Sequence, residues 1–392
     1  MIQRSIRASF AHYFSASLQT HRAQEPELSN PMKTNGSFLR HLTTAAALAL
    51  AAITQTSFAQ TTTTTPVGFV TISVAGGGTS SQPVYTFASL GIVKPISWQS
   101  TTTTSTAGTT TLTDTAATWA DNAYNSTTAG APPNYFVEIL SGPAAGTMYD
   151  IVTTDGTAKS LTLAQPLATG VAAGASYAIR PHWTIASVFG NSTTGVLLQG
   201  GSSTSADQVQ LYRNGQFVSY YYQQAGKGLQ NTWVMSGAPN ADASATVIYP
   251  DDGIVIARLT TAPVAVVLNG VVKTGQTVVP VQSGYSFLGN VYSAGMTLGT
   301  SGLVTDGSTT STTGIASGTS TSADQISFYN GSQWVAYYYQ VGGKGLQNTW
   351  VQSGFPNTDA SATAIPVGAT IFIQRSGPAF QWVAPQFPSS FN

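Results

Sequence analysis

Residues 201–258 and 318–375 align without a gap, and about 36 of the 58 paired positions are identical. GSSTSADQVQLYRNGQFVSYYYQQAGKGLQNTWVMSGAPNADASATVIYPDDGIVIAR stands against GTSTSADQISFYNGSQWVAYYYQVGGKGLQNTWVQSGFPNTDASATAIPVGATIFIQR. A repeat of this kind constrains the fold before any propensity is consulted, because both copies must form the same supersecondary unit. Two copies are too few for a solenoid, and the stretches that precede them differ in length. Paired domains are therefore expected, one of them interrupted. Comparing the copies also separates positions that have drifted from positions that have not.

Short runs rich in Val, Ile, Thr, Tyr and Phe alternate with polar residues and stop at Gly, Asn, Asp or Pro. An all-β fold follows, with two similar sandwich-like domains. The first domain is expected over residues 60–98 and 184–262, the second over 263–377, and a C-terminal tail over 378–392. Residues 99–183 form a small β module inserted into the first domain, since insertions are tolerated at surface loops. Within it Tyr135–Leu140, Met148–Thr153, Ser160–Leu163 and Ser176–Arg180 read as strands, with 141–146 as a tight connection. The Thr-rich runs 61–65 and 100–113 are low-complexity spacers by composition, although the second suits a Thr-rich edge strand equally well.

Residues 1–31 show no steady apolar period, whereas Met32 opens a segment with Lys33, Arg40, an apolar run from Leu42 to Ile53 and a small-residue end at Ala59. Residues 32–59 thus read as a secretory signal peptide and 1–31 as a mis-called extension. A membrane anchor is the alternative, but the apolar run is too short for an ordinary bilayer. Export places the protein outside the cell, on its surface or in the periplasm, with no membrane span in the mature chain. Cleavage leaves nine basic against twelve acidic residues, a balance that argues against nucleic acid and anionic membranes as partners. There is no cysteine and the mature chain keeps only His182, so no metal site or cofactor is expected from the usual ligands. His182 has no nucleophile elbow near it and reads as structural.

Four segments carry a resemblance: Thr65-Pro66-Val67-Gly68-Phe69-Val70-Thr71 after the signal, YFVEILSGPAAG from Tyr135, HWTIASVFG from His182, and the SADQ…YYY…GKGLQNTWV…I-x-R repeat. Together they resemble a paralogous family of exported β-rich proteins from verrucomicrobial bacteria. The resemblance spans most of the mature chain and implies export and a β-rich fold. It implies no activity.

Asn214-Gly215 and Asn330-Gly331 signal hairpins, because both residue types tolerate the positive φ of a tight turn. The dipeptides stand one position apart in the two copies, which is expected to move the pairing register while keeping its parity. Val209, Leu211, Val218, Tyr220 and Tyr222 then share a core face, as do Ile326, Phe328, Val335, Tyr337 and Tyr339. The opposite face carries Gln208, Gln210, Tyr212, Phe217, Ser219 and Tyr221, and in the second copy Gln325, Ser327, Tyr329, Trp334, Ala336 and Tyr338. Rings beside amides suit a carbohydrate, whose C–H faces stack on rings while its hydroxyls need partners. The same rings would equally serve as packing against a second sheet.

Both copies keep Asp207/Asp324, Lys227/Lys344, Asp242/Asp359 and Arg258/Arg375, whereas Arg213, Asp251 and Asp252 have no charged counterpart. Retained charges of balanced sign suggest ion pairs that fix loops. Lys227 and Lys344, each between glycines, suit either a loop clamp or a ligand contact, but no P-loop pattern surrounds them. Asn240-x-Asp242-x-Ser244 and its counterpart at 357–361 read as an Asx turn more readily than as a calcium loop. A glycosidase would need two carboxylates at a working separation, and Asp207 with Asp242 is the only pairing the repeat offers. The sequence therefore points to an exported, non-enzymatic structural or adhesive protein of the cell envelope or matrix, with no catalytic residues. The alternative is a carbohydrate binder using Tyr212, Phe217, Tyr221, Lys227, Tyr329, Trp334, Tyr338 and Lys344, with polysaccharide or other envelope components as partners.

Overall fold

Each repeat folds into a six-stranded antiparallel sheet, and the two sheets have the same strand order. In the first, Val84–Ala88 lies at one edge, followed by Ile254–Arg258, Gln208–Arg213, Gln216–Gln223, Thr232–Met235 and Ala238–Asp242. In the second, the order is Gly284–Gly289, Thr370–Arg375, Gln325–Tyr329, Trp334–Gln340, Thr349–Gln352 and Phe355–Asp359. The opening edge strand of each sheet lies outside the 58-residue copy and pairs with that copy's last strand. The computed structural model describes residues 66–126, 131–292 and 295–386. The expected extension, the signal peptide and the Thr run 61–65 lie outside the described residues, and the tail over 378–392 lies partly outside them.

Among the described residues the protein is all-β apart from one short helix, Ile185–Phe189, which Thr184 and Ser187 cap reciprocally. Among the described residues no helix is long and apolar enough to cross a membrane. Alternation with period two decides which side chains go inside. Val209, Leu211, Tyr220 and Tyr222 are buried in the first core with Val218 packed against them. Ile326, Phe328 and Tyr337 occupy the second, flanked by Val335 and Tyr339.

The hairpin register does not move between copies. Tyr212 pairs with Phe217 and Tyr329 with Trp334, which are equivalent positions. In the first copy Arg213 also pairs with Gln216 around a two-residue turn in which Asn214 and Gly215 have φ of 51° and 83°. In the second the connection is longer, and Asn330 Oδ1 accepts from the N–H groups of Ser332 and Gln333. The offset Asn-Gly is thus absorbed in the loop, because slipping the ladder would cost every cross-strand pair beyond it.

A second layer covers each sheet. Strands Val67–Val74, Val264–Val272 and Ile92–Val93 form a three-stranded sheet that buries Ile72, Val74, Val266, Leu268 and Ile92 in the first core. The first domain therefore extends to Val272 rather than ending at 262, since the strand after the first copy pairs with Val67–Val74 along its whole length. Strands Thr277–Val281 and Phe380–Ala384 cover the second sheet. Phe380, Trp382 and Ala384 are core residues there, so the segment expected as a tail is a structural strand as far as Ala384.

Residues from Trp98 to Pro181 build a seven-stranded sheet with its own core of Leu112, Val137, Ile139, Ile151, Leu161, Tyr177 and Ile179. The Thr-rich run contributes the short edge strand Thr104–Ser105 and, beside it, Thr111–Thr113, which pairs on its other side with Ser160–Leu163. The 141–146 turn then leans on the second domain, where Val278 N donates to Gly146 O at 3.0 Å and Gln276 Nε2 to Ala145 O at 2.7 Å. Gly146 has φ of 86°, and a Cβ there would lie 2.5 Å from Gln276 O, so only glycine permits the approach.

Candidate functional site

The ring-and-amide face of each copy divides into two parts. Tyr221 and Tyr338 are buried, at 4% and 3% exposure, and their hydroxyls donate to Gln223 Oε1 and Gln340 Oε1 at 2.9 and 3.0 Å. Those amides in turn donate to the carbonyls of Lys227 and Lys344, both at 2.9 Å. The expectation that these two rings are free for a ligand is not met: a buried hydroxyl needs a partner, and each finds one in the loop.

That relay accounts for much of the unchanged GKGLQNTWV. Gly228 and Gly345 have φ of 114° and 116°, and a Cβ on either would sit 2.4 Å from the carbonyl of Pro239 or Pro356. Asn231 and Asn348 adopt the left-handed region at 57° and 55°, which Asn tolerates better than most residues. Trp233 and Trp350 fill the two cores. The Lys227 and Lys344 side chains remain exposed and, among the described residues, meet no carboxylate. The loops are therefore clamped through the lysine carbonyls, not through an ion pair.

Tyr212, Phe217, Tyr329 and Trp334 pack across the repeats. Phe287 lies 5.0 Å from Phe217 and 6.4 Å from Tyr212, while Phe87 lies 5.0 Å from Tyr329 and 4.9 Å from Trp334. Phe87 and Phe287 themselves meet at 6.4 Å, so the contacts are related by a local two-fold. Backbone bonds obey the same symmetry: Ser89 N donates to Gly368 O and Gly289 N to Asp251 O, each at 2.8 Å. One rim of this cluster is open. Phe217 and Trp334 keep 45% and 38% of their surface exposed, and Tyr285, stacked on Phe372 at 5.4 Å, keeps 51%. The sequence reading missed Phe87, Phe287, Tyr85 and Tyr285 because they precede the aligned copies. The matching Tyr85-Thr86-Phe87 and Tyr285-Ser286-Phe287 was the available signal. The nearby amides are partly committed, with Gln208 and Gln325 donating to Ser203 O and Ser320 O.

The retained acids are also accounted for. Asp207 is buried against Arg258, and Asp324 pairs with Arg375 at 2.7 Å with both side chains fully buried. Asp242 accepts from Ser244 N and Thr232 Oγ1 at 2.8 Å, an Asx turn repeated at Asp359. Burial works against the Asp242 carboxylate, but the Ser244 and Thr232 bonds hold its pKa below the usual range. Glu138 lies between Arg180 and Lys273; burial would raise its pKa, and the two cations override that and lower it. Asp207 and Asp242 serve different loops, so the repeat does not assemble them as a carboxylate pair.

The charges without counterparts converge where the module meets the first sheet. Asp150 takes a 2.8 Å bond to His182 Nε2 and another from Tyr249 Oη, and Arg213 grips Asp252 with both terminal nitrogens. His182 Nδ1 is buried without a partner. Burial, reinforced by the Asp252 charge, pushes the Asp251 carboxyl up to about 7. Among the described residues no group of His, Cys, Asp and Glu is arranged to hold a metal ion. Protein-family models and curated proteins give no match to this chain.

Proposed function

We propose that the chain is an exported, non-enzymatic structural or adhesive protein of the cell envelope or extracellular matrix. One observation carries the reading: the polar groups both repeats retain serve the fold itself. Arg258 and Arg375 hold buried acids, Asp242 and Asp359 hold turns, and the Tyr-Gln relays hold the lysine loops. Such an investment fits a rigid display body without disulfides, in a setting where most small exported domains rely on them. Fractionating the producing cells with an antibody to the folded chain tests this. Recovery in the envelope or medium is expected, and recovery in the cytoplasm would sink it.

The exposed rim of the aromatic cluster favours a second reading, in which polysaccharide lies across Phe217, Trp334 and Tyr285. Retention on a polysaccharide panel should then fall for Trp334→Ala and Phe217→Ala while the melting transition stays sharp. Equal retention of wild type and variants, or none at all, leaves the rim as packing surface. Release of soluble sugar from the panel would overturn the non-enzymatic reading.

A further inference from the structure

Strand Val67–Val74 is the edge of the three-stranded sheet and pairs on one side with Val264–Val272. Val272 N donates to Pro66 O, which sets the phase of this ladder: the backbone groups of Gly68, Val70, Ile72 and Val74 point to the neighbouring strand. Those of Val67, Phe69, Thr71 and Ser73 therefore point outward, and among the described residues none of them is hydrogen-bonded. The side chains of the same four residues are exposed, with Val67 at 79% and Phe69 at 71%, and Val267 on the adjoining strand at 56%.

Other sheet edges in the molecule are blunted. Ala238–Asp242 and Phe355–Asp359 each carry a proline, an aspartate and a register shift. The module ends in strands of four and two residues. Val84–Ala88 and Gly284–Gly289 lie against the opposite repeat, Thr277–Val281 contains Pro280, and Phe380–Ala384 is only five residues long before Pro385. Among the sheet edges of the described residues, Val67–Val74 alone combines eight residues, no charge, no proline and no bulge. Natural sheets protect such an edge or use it.

We infer that this edge pairs with the same strand of a second copy, antiparallel about a two-fold axis at Val70, joining two three-stranded sheets into one of six. The register is self-consistent. Phe69 of one copy stands opposite Thr71 of the other and Val67 opposite Ser73, so every outward-pointing residue meets an outward-pointing residue, and exposed side chains stay on one face. The strand carries no charge that would repel its own copy. This inference stands whether or not the chain is adhesive, because it rests on the edge alone.

Sedimentation of the exported protein over a wide concentration range tests it. A monomer–dimer equilibrium is expected, weakened about tenfold or more by Phe69→Lys and by Thr71→Pro, which removes an outward N–H without touching the internal ladder. Val152→Lys, at a position 50% exposed in the module, should leave the equilibrium unchanged. The chain has no cysteine, so a spin label on Thr71→Cys reads the register directly: the two Cα atoms should lie about 7–8 Å apart, with dipolar broadening. A monomer at every concentration, association indifferent to both edge variants, or an unbroadened spectrum from an associated sample would each overturn the inference.

Discussion

Removing the guanidinium of Arg258 leaves the Asp207 carboxylate buried without its partner, and the same holds for Arg375 and Asp324. Breaking a buried pair in this way typically costs about 3–5 kcal/mol, so Arg258→Ala and Arg375→Ala should each lower the urea midpoint strongly. Arg375→Ala should be the worse of the two, since that side chain also bonds three carbonyls, those of Ser311, Gly314 and Pro378, where Arg258 bonds only that of Ala262. Asp251 gives a pH dependence of definite sign. Its pKa rises from 3.8 in the ordinary state to about 7 in the folded one, so the native protein binds the proton more tightly than the unfolded chain. Stability from this group is fully present below about pH 4, is lost progressively as pH rises from 4 to 7, and does not change further above that. Asp251→Asn should flatten the fall of the urea midpoint between about pH 4 and 7. A wild-type midpoint that rises with pH across about pH 5 to 7 would contradict this account. Glu138, Asp242 and Asp359 act in the opposite sense and at lower pH, because their carboxyls are held below the usual range.

The lysine loop is the element where the repeats agree most, and its rigidity has a direct assay. Tyr221→Phe removes one buried hydrogen bond, worth about 1 kcal/mol, and frees the Gln223 amide that holds Lys227 O. Gly228→Ala forces a side chain into the left-handed region and against Pro239 O. Both variants should be cut by trypsin after Lys227 faster than wild type, while the equivalent bond after Lys344 is cut at an unchanged rate. Equal acceleration at both sites would mean that the whole sheet, not the loop, had loosened. Residue identity alone marked this element, but its meaning required the fold. The exposed ammoniums look like functional groups in the sequence, whereas the structural work is done by the lysine carbonyls, which any residue would supply. What the nine residues preserve is the backbone path around Gly228 and Asn231.

At the scale of the molecule, Phe87 and Phe287 couple the two repeats. Phe287 is 6% exposed and touches rings from both sheets, so Phe287→Ala should cost about 3–5 kcal/mol. Its signature should be a single thermal transition splitting into two, because the repeats lose the contact that makes them unfold together. A lower but still single transition would place the coupling elsewhere, in the Glu138, Arg180 and Lys273 cluster that ties the module to the start of the second domain.

Strand content and the core faces of both hairpins were legible in the chain, because alternation and turn chemistry are local and repeat with the strand period. Export and partners remain proposals drawn from sequence. Local pattern could not show that Val264–Val272 returns to Val67–Val74, that Phe380–Ala384 closes the second core, or that Phe87 lies against Trp334. Those contacts join residues that are close only after two sheets have twisted and docked, so they depend on the shapes of whole faces rather than on any neighbouring residues. Alternation along each strand sets which side is apolar; what that side, and the ringed side opposite, meets is set by how the sheets dock.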